Sequence, residues 1–214
     1  MAGPDDTQQR RASGSLPAAD RFARGNIVGT AIVGAVEHFI DKHGAVAAHD
    51  VLSRLPAQWR SYVQPNAACI GLLGAKKYPY PFVGDLFRTM IAVARADEDA
   101  FLREHVAAGT DHTIDTVARI VLRWAATPQA VAQRAQQLWS TFHDAGRIDI
   151  LSVSANEYVA QVSEWPNHDV VVCKICLEAR RRVVERTGAK NVDVRREKCL
   201  AWGHDVCVFR VRWA

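Results

Sequence analysis

Apolar positions recur at helical spacing through the first two-thirds of the chain and switch to alternation near residue 147. Val28, Ile32, Ala35, Val36, Phe39 and Ile40 mark one face of a helix over 26–43, with Gly44 as its stop. A short amphipathic segment over 45–54 follows and ends at Leu55-Pro56, because proline cannot continue a helix. Residues 67–81 carry Gly71, Gly74, Pro79 and Pro81 and read as an irregular crossover bearing aromatic residues. Leu86, Phe87, Met90, Ile91 and Ala94 restore the helical period over 83–95. A further helix is expected over 98–107, ending near Gly109, and another from Asp111 through Val117, Val121 and Trp124. Thr127-Pro128 is a cap with proline at the first helical position and opens a helix carrying Val131, Ala135, Leu138, Trp139 and Phe142.

Beyond Gly146 the period changes to two. Residues 147–153 and 157–164 form two strands about a Ser154-Ala155-Asn156 turn. Val172, Cys176, Ala179 and Val183 then return to one helical face that stops at Gly188. Residues 191–198 and 206–213 alternate as a hairpin around Trp202-Gly203-His204-Asp205. The pattern predicts an α+β fold: a helical part over 23–146, then a four-stranded antiparallel sheet over 147–214 in the order strand, strand, helix, strand, strand, with helices on one face. Gly29 and Gly34 would admit another backbone at close range, which suits a buried helix or a homodimer contact.

Composition adds limits. The chain has 214 residues, 49% of them hydrophobic, enough for one domain with a sizeable core. Residues 1–22 are polar and Gly/Pro/Ser-rich, a composition of disordered tails. No apolar run is long enough to span a membrane and no secretory leader is present, so a cytoplasmic location is expected. The net charge of +4 and the Arg180-Arg181-Arg182 run beside Glu178 and Glu185 form a solvated face, not the broad basic stripe of a nucleic-acid binder. The sequence holds no Gly-Xaa-Ser-Xaa-Gly elbow, P-loop or dinucleotide fingerprint. His105 and His112, set among acids, read as surface residues, and the isolated Cys69 as a core residue.

The chemistry concentrates in four of the five cysteines. Cys173 and Cys176 lie three apart at a helix start, while Cys199 and Cys207 flank the hairpin loop. If the helix packs on the sheet, the four sulfurs converge on the tetrahedral set that zinc takes. Glu197, two residues from Cys199 on one strand face, and His204, Asp205 and His168 are alternative ligands. A reversible dithiol switch and inert core cysteines are the competing readings.

The ending Cys199-(seven residues)-Cys207-Val208-Phe209, with Gly203 in the loop, Thr187-Gly188 closing the helix and Trp213 at the end, resembles the 4-vinyl-reductase-like small-molecule-binding domain. The sensor domains of phenol-responsive transcription activators and, more remotely, vesicle-tethering subunits are its relatives, and the whole chain also resembles a myxobacterial paralogous family without assigned function. The resemblance implies dimerisation, an enclosed apolar pocket and a zinc held by Cys173, Cys199 and Cys207. The acid expected as fourth ligand is replaced by Arg196, with Glu197 one residue off, which leaves Cys176 as the natural substitute. Together these readings give a non-enzymatic regulatory module, a single ligand-binding domain over 23–214, that binds a small hydrophobic or aromatic molecule beside a structural zinc. Trp139, Phe142, Tyr158 and Trp165 are the candidate pocket wall, and the output passes through a regulatory partner protein. An interaction scaffold with a filled core, a cysteine redox sensor and a tetrapyrrole-related enzyme are the alternatives.

Overall fold

The computed structural model describes residues 25–116 and 126–214; the expected tail over 1–22 and the helical positions Val117, Val121 and Trp124 lie outside them. A short strand β1 (Asn26–Val28) leads into α1 (Thr30–Arg54), which breaks at Gly44, where φ is +83°. After a 3-10 turn at Ala57–Tyr62 and a second at Ala68–Gly71 the chain forms β2 (Lys77–Pro79), antiparallel to β1, and passes directly into α2 (Tyr80–Ala94). Next come α3 (Glu98–Thr116), α4 (Pro128–Gln133) and α5 (Ala135–Phe142). The sheet part is β3 (Arg147–Val153), β4 (Glu157–Ser163), α6 (Val170–Arg186), β5 (Asp193–Lys198) and β6 (Cys207–Arg212), with antiparallel strand order β3-β4-β6-β5.

The expected α+β architecture is therefore the observed one. Three details differ. Asn26–Val28 leaves the first helix to pair with β2, because the Ile27 side chain is buried there and the crossover supplies a partner strand. The two helices expected to part near Gly109 are one, since Gly109 serves packing. A Cβ at Gly109 would lie 2.8 Å from the Ala35 nitrogen, and one at Gly34 2.7 Å from the His112 Cβ. Glycine is thus required where α1 and α3 cross, and the close approach offered by Gly34 is used within the chain. The helix expected after Thr127 is interrupted at Arg134, although its start holds: the Thr127 hydroxyl accepts from the Ala130 N–H at 3.1 Å.

One core runs between the helices and the sheet. Phe82, Val83, Leu86, Phe87 and Met90 are fully buried on α2, and Tyr158, Ala160, Val162, Cys207, Phe209 and Val211 present the inner sheet face to α6. At about 25 cal/mol per Å² of apolar area removed from water, burial of this kind is the main stabilising contribution. No helix among the described residues is long and apolar enough to cross a membrane.

Candidate metal cluster and apolar cavity

Three local devices place a set of sulfur and imidazole donors at one end of the sheet. Cys207 opens β6 opposite Val162, so the chain leaving β4 passes that end and reaches His168. Asp169 then starts α6: its Oδ1 accepts from the N–H groups of Val171 at 2.8 Å and Val172 at 3.2 Å, while its Oδ2 accepts from Arg88 at 2.7 Å. Gly84 of α2 lies under this carboxylate, where a Cβ would come within 2.5 Å of the Asp169 Cγ. The capped first turn puts Cys173 beside His168. The third device is a register shift between Arg196 and Lys198, which turns β5 before Cys199.

The donor atoms of His168, Cys173, Cys199 and Cys207 all lie within 4.8 Å of one another, and the three cysteines are buried. Measured pairs include His168 Nε2 to Cys207 Sγ at 3.4 Å, His168 Nε2 to Cys199 Sγ at 3.8 Å, and the Cys199 and Cys207 sulfurs at 3.9 Å. A tetrahedron with metal–sulfur arms of about 2.3 Å has edges of about 3.8 Å, so the spacing suits four-coordinate binding without rebuilding the backbone. The Leu200 N–H points at the Cys207 sulfur and the Arg196 guanidinium at the Cys199 sulfur, each at 3.4 Å. Hydrogen bonds from the Cys173 thiol, the His168 ring and Leu200 pull the Cys207 thiol below its ordinary range, while the same bond and burial push Cys173 up. The cluster could bind a metal ion.

The alternative ligands sit elsewhere. Cys176 lies apart from the cluster, its sulfur 3.9 Å from His143 Nε2. The β5 register shift removes Glu197 from the side of Cys199 and leaves it accepting from Arg210 at 2.5 Å, with Arg196 taking the inward place. His204 is held at the Cys199 backbone, its Nδ1 3.1 Å from the carbonyl oxygen. His168 has no periodic or motif signal beyond its closeness in sequence; only the turn through Pro166 and Asn167, the latter with φ of +52°, brings it in.

The second feature is a cavity of about 140 Å³ between the helical part and the sheet. Ile27 and Ala31 close one side, Thr113 and Ile114 of α3 another, Trp139, Phe142 and His143 a third, and Tyr158, Cys176, Ala179, Arg180 and Val183 the sheet side. Trp139, Phe142 and Tyr158 thus line it, whereas Trp165 stands behind the wall, edge-on to Trp139 at 5.0 Å between ring centres. The wall is almost wholly apolar. The Tyr158 hydroxyl is buried with no hydrogen-bond partner among the described residues. His143 is fixed by Tyr80, with Nδ1 2.9 Å from the hydroxyl, and by Trp139, whose ring stacks on it at 3.8 Å.

Burial pushes the Cys176 thiol up to about 12 and His143 down to about 3. Cys176 and His143 are therefore a neutral thiol and a neutral imidazole, not the thiolate–imidazolium pair of a nucleophilic cysteine. Cys69 is similarly raised to about 12, by burial and then by Glu37, and its sulfur donates to the Val33 carbonyl at 3.5 Å.

Neither a family model nor a curated protein matches this sequence. Solved structures do. An H-NOX protein from S. oneidensis in the Fe(II)NO state superposes with a TM-score of 0.65 at 9% identity, over 87% of this chain and 99% of that one. The Fe(II) unliganded A71G mutant of the K. algicida H-NOX protein gives 0.62 at 11% identity, over 87% and 96%. An oxygen-binding H-NOX domain related to soluble guanylate cyclases gives 0.59 at 10% identity, over 86% and 94%. These matches overturn the 4-vinyl-reductase-like resemblance: a hairpin with two cysteines at its base is a local feature that unrelated folds can share, while the superposition spans the order of helices and strands along most of the chain. The described chain has the fold of H-NOX proteins.

Proposed function

We propose that this chain is a non-enzymatic regulatory module that binds a small apolar molecule in the cavity between its helical part and its sheet, with a zinc ion at His168, Cys173, Cys199 and Cys207 as a structural tie. The observation that carries the reading is the cavity itself. It is lined mostly by apolar side chains, and one of the lining residues, Tyr158, has a buried hydroxyl with no hydrogen-bond partner among the described residues. An unsatisfied buried polar group costs about 1–3 kcal/mol, a cost that a bound molecule can offset. A scaffold with a filled core would leave neither. The zinc would join the loop after β4, the first turn of α6 and both arms of the β5–β6 hairpin, fixing the sheet side of the cavity.

One of the structural neighbours was solved to probe the function of heme distortion in the H-NOX family. Heme does not fit here. A cavity of about 140 Å³ is close to the roughly 150 Å³ that holds benzene, and a tetrapyrrole joins four rings of that order. The histidine in its wall is stacked on Trp139 and bonded to Tyr80, with its other nitrogen facing Cys176. The cavity reading therefore takes the H-NOX architecture with a ligand the size of one ring.

Thermal unfolding with saturating toluene tests it. The wild-type chain is expected to be stabilised, and the Ala179→Phe variant, which fills the cavity from α6, is expected not to respond. A toluene-insensitive wild type, in the series with the charged and hydroxylated analogues described below also silent, would overturn the reading.

A further inference from the structure

The α6 arginines are not alike. Arg181 pairs with Glu178 at 2.9 Å, Arg182 with Asp111 at 2.7 Å, and Arg186 with Asp115 at 2.8 Å. Arg180, the first of the run, has no hydrogen bond or ion pair with any described residue; its guanidinium lies over Phe209, 3.9 Å from the ring centre, and the residue is one of those that line the cavity. A half-buried guanidinium beside an apolar cavity without a counter-charge is costly to maintain, and the usual resolution is an anion. The described residues of the wall supply none: His143 and Cys176 are neutral, and Thr110, Thr113 and Tyr158 are uncharged.

Arg180 also acts on the same space as the orphaned hydroxyl. Its charge lowers the proton affinity of Tyr158, Cys176 and His143, so it sits within electrostatic reach of all three. Guanidinium and phenol are the two donors left over for one acceptor group: the planar fork of Arg180 suits a carboxylate, and the Tyr158 hydroxyl has no other acceptor among the described residues. The remaining wall, Ile27, Ala31, Trp139, Phe142 and Val183, offers only apolar contact, for a body the size of benzene.

We propose that the cavity's ligand is a small monocarboxylic acid with a benzene-sized apolar body, its carboxylate held by Arg180 and Tyr158. This rests on the reading that the cavity is a ligand site. The class excludes dianions, since only one cation lines the cavity among the described residues, and it excludes long acyl chains by volume.

Titration calorimetry with benzoate, benzyl alcohol and toluene, which share one ring and differ in charge and hydrogen bonding, separates the two ideas. Benzoate is expected to bind at least about tenfold more tightly than toluene, the effect of a hydrogen bond to a charged group. Arg180→Met, which keeps an apolar stem over Phe209, should bring benzoate down to the level of toluene while toluene itself binds as in wild type, so toluene reports that the fold is intact. Tyr158→Phe should weaken benzoate and benzyl alcohol and spare toluene. Should Arg180→Met not fold, the wild-type series still decides. Benzoate no tighter than benzyl alcohol or toluene would overturn the carboxylate inference and leave the cavity reading standing; no binding of any of the three would overturn both.

Discussion

Asp144→Ala should be among the most destabilising single changes outside the apolar core. The Asp144 carboxylate, whose side chain is 14% exposed, accepts three N–H groups: those of Gly25 at 3.0 Å, of the Asn26 backbone at 2.7 Å and of the Asn26 side chain at 2.8 Å. It thereby ties the entry to β1, and with it the cavity residue Ile27, to the turn after α5. Hydrogen bonds to a charged acceptor contribute roughly 1.5–3 kcal/mol each. Bonds to one carboxylate are not additive, because the donors relax together once it is gone, so about 3–4 kcal/mol is expected, not the full sum. Lys77, 3.8 Å away and 58% exposed, adds under about 1 kcal/mol. Burial alone would raise the Asp144 pKa, but the Asn26 and Gly25 donors and Lys77 outweigh it and hold the carboxyl below its usual range. The stabilisation is therefore full above the unfolded-state value of about 3.9 and is lost as pH falls through the lower folded value. Urea unfolding at pH 7 and along a series from pH 5 to pH 3 measures both effects. An Asp144→Ala variant within about 0.5 kcal/mol of wild type, the spread of ordinary surface changes, would refute the reasoning; so would an Asp144→Asn variant whose stability falls below pH 4 as steeply as wild type.

Gly109→Ala puts a methyl group against the Ala35 backbone at 2.8 Å and should cost about 1–3 kcal/mol of overpacking strain, visible as a lowered thermal midpoint; unchanged stability would mean that α1 and α3 separate freely. Gly84→Ala drives a Cβ to 2.5 Å from the Asp169 carboxyl carbon, disturbing the cap that orients His168 and Cys173, and is expected to weaken zinc retention against a chelator. Retention equal to wild type would remove the Asp169 cap from the account. Cys69 and Cys176, both raised to about 12 by burial, should resist iodoacetamide at pH 8 in the folded chain, as mapped by peptide mass spectrometry; rapid alkylation of either would contradict the environments described.

The parts of this molecule that depend on periodicity were legible in the sequence. The switch from helical spacing to alternation near residue 147 marks the sheet, and the Ser154-Ala155-Asn156 turn and the Thr127 cap fall where their chemistry places them. What escaped depends on long-range pairing or on irregular backbone. Asn26–Val28 matches a helical face as well as a strand, and only its pairing with Lys77–Pro79 decides. The β5 bulge inverts the sides of Arg196 and Glu197, so the rule that residues two apart share a face gave the wrong neighbour for Cys199. His168 enters the cluster from an irregular turn that carries no pattern. Cys176 shows a limit of spacing arguments: a residue three places from Cys173 is its neighbour on the helix surface, only about 60° around the axis, yet that offset and the rise of nearly one turn are enough to put it at the cavity and not in the cluster. Arg180 looked like one member of a solvated basic face, and only the ion pairs of its neighbours set it apart.

A zinc tie beside a cavity without heme puts one metal in the chain and leaves out another, and elemental mass spectrometry reads both at once. The measurement is made on protein purified without a metal-affinity column from cells supplied with zinc and hemin. About one zinc per chain, lost in the Cys207→Ser variant, and no stoichiometric iron are expected. Well-folded protein without zinc, or with iron at about one per chain, would contradict this expectation.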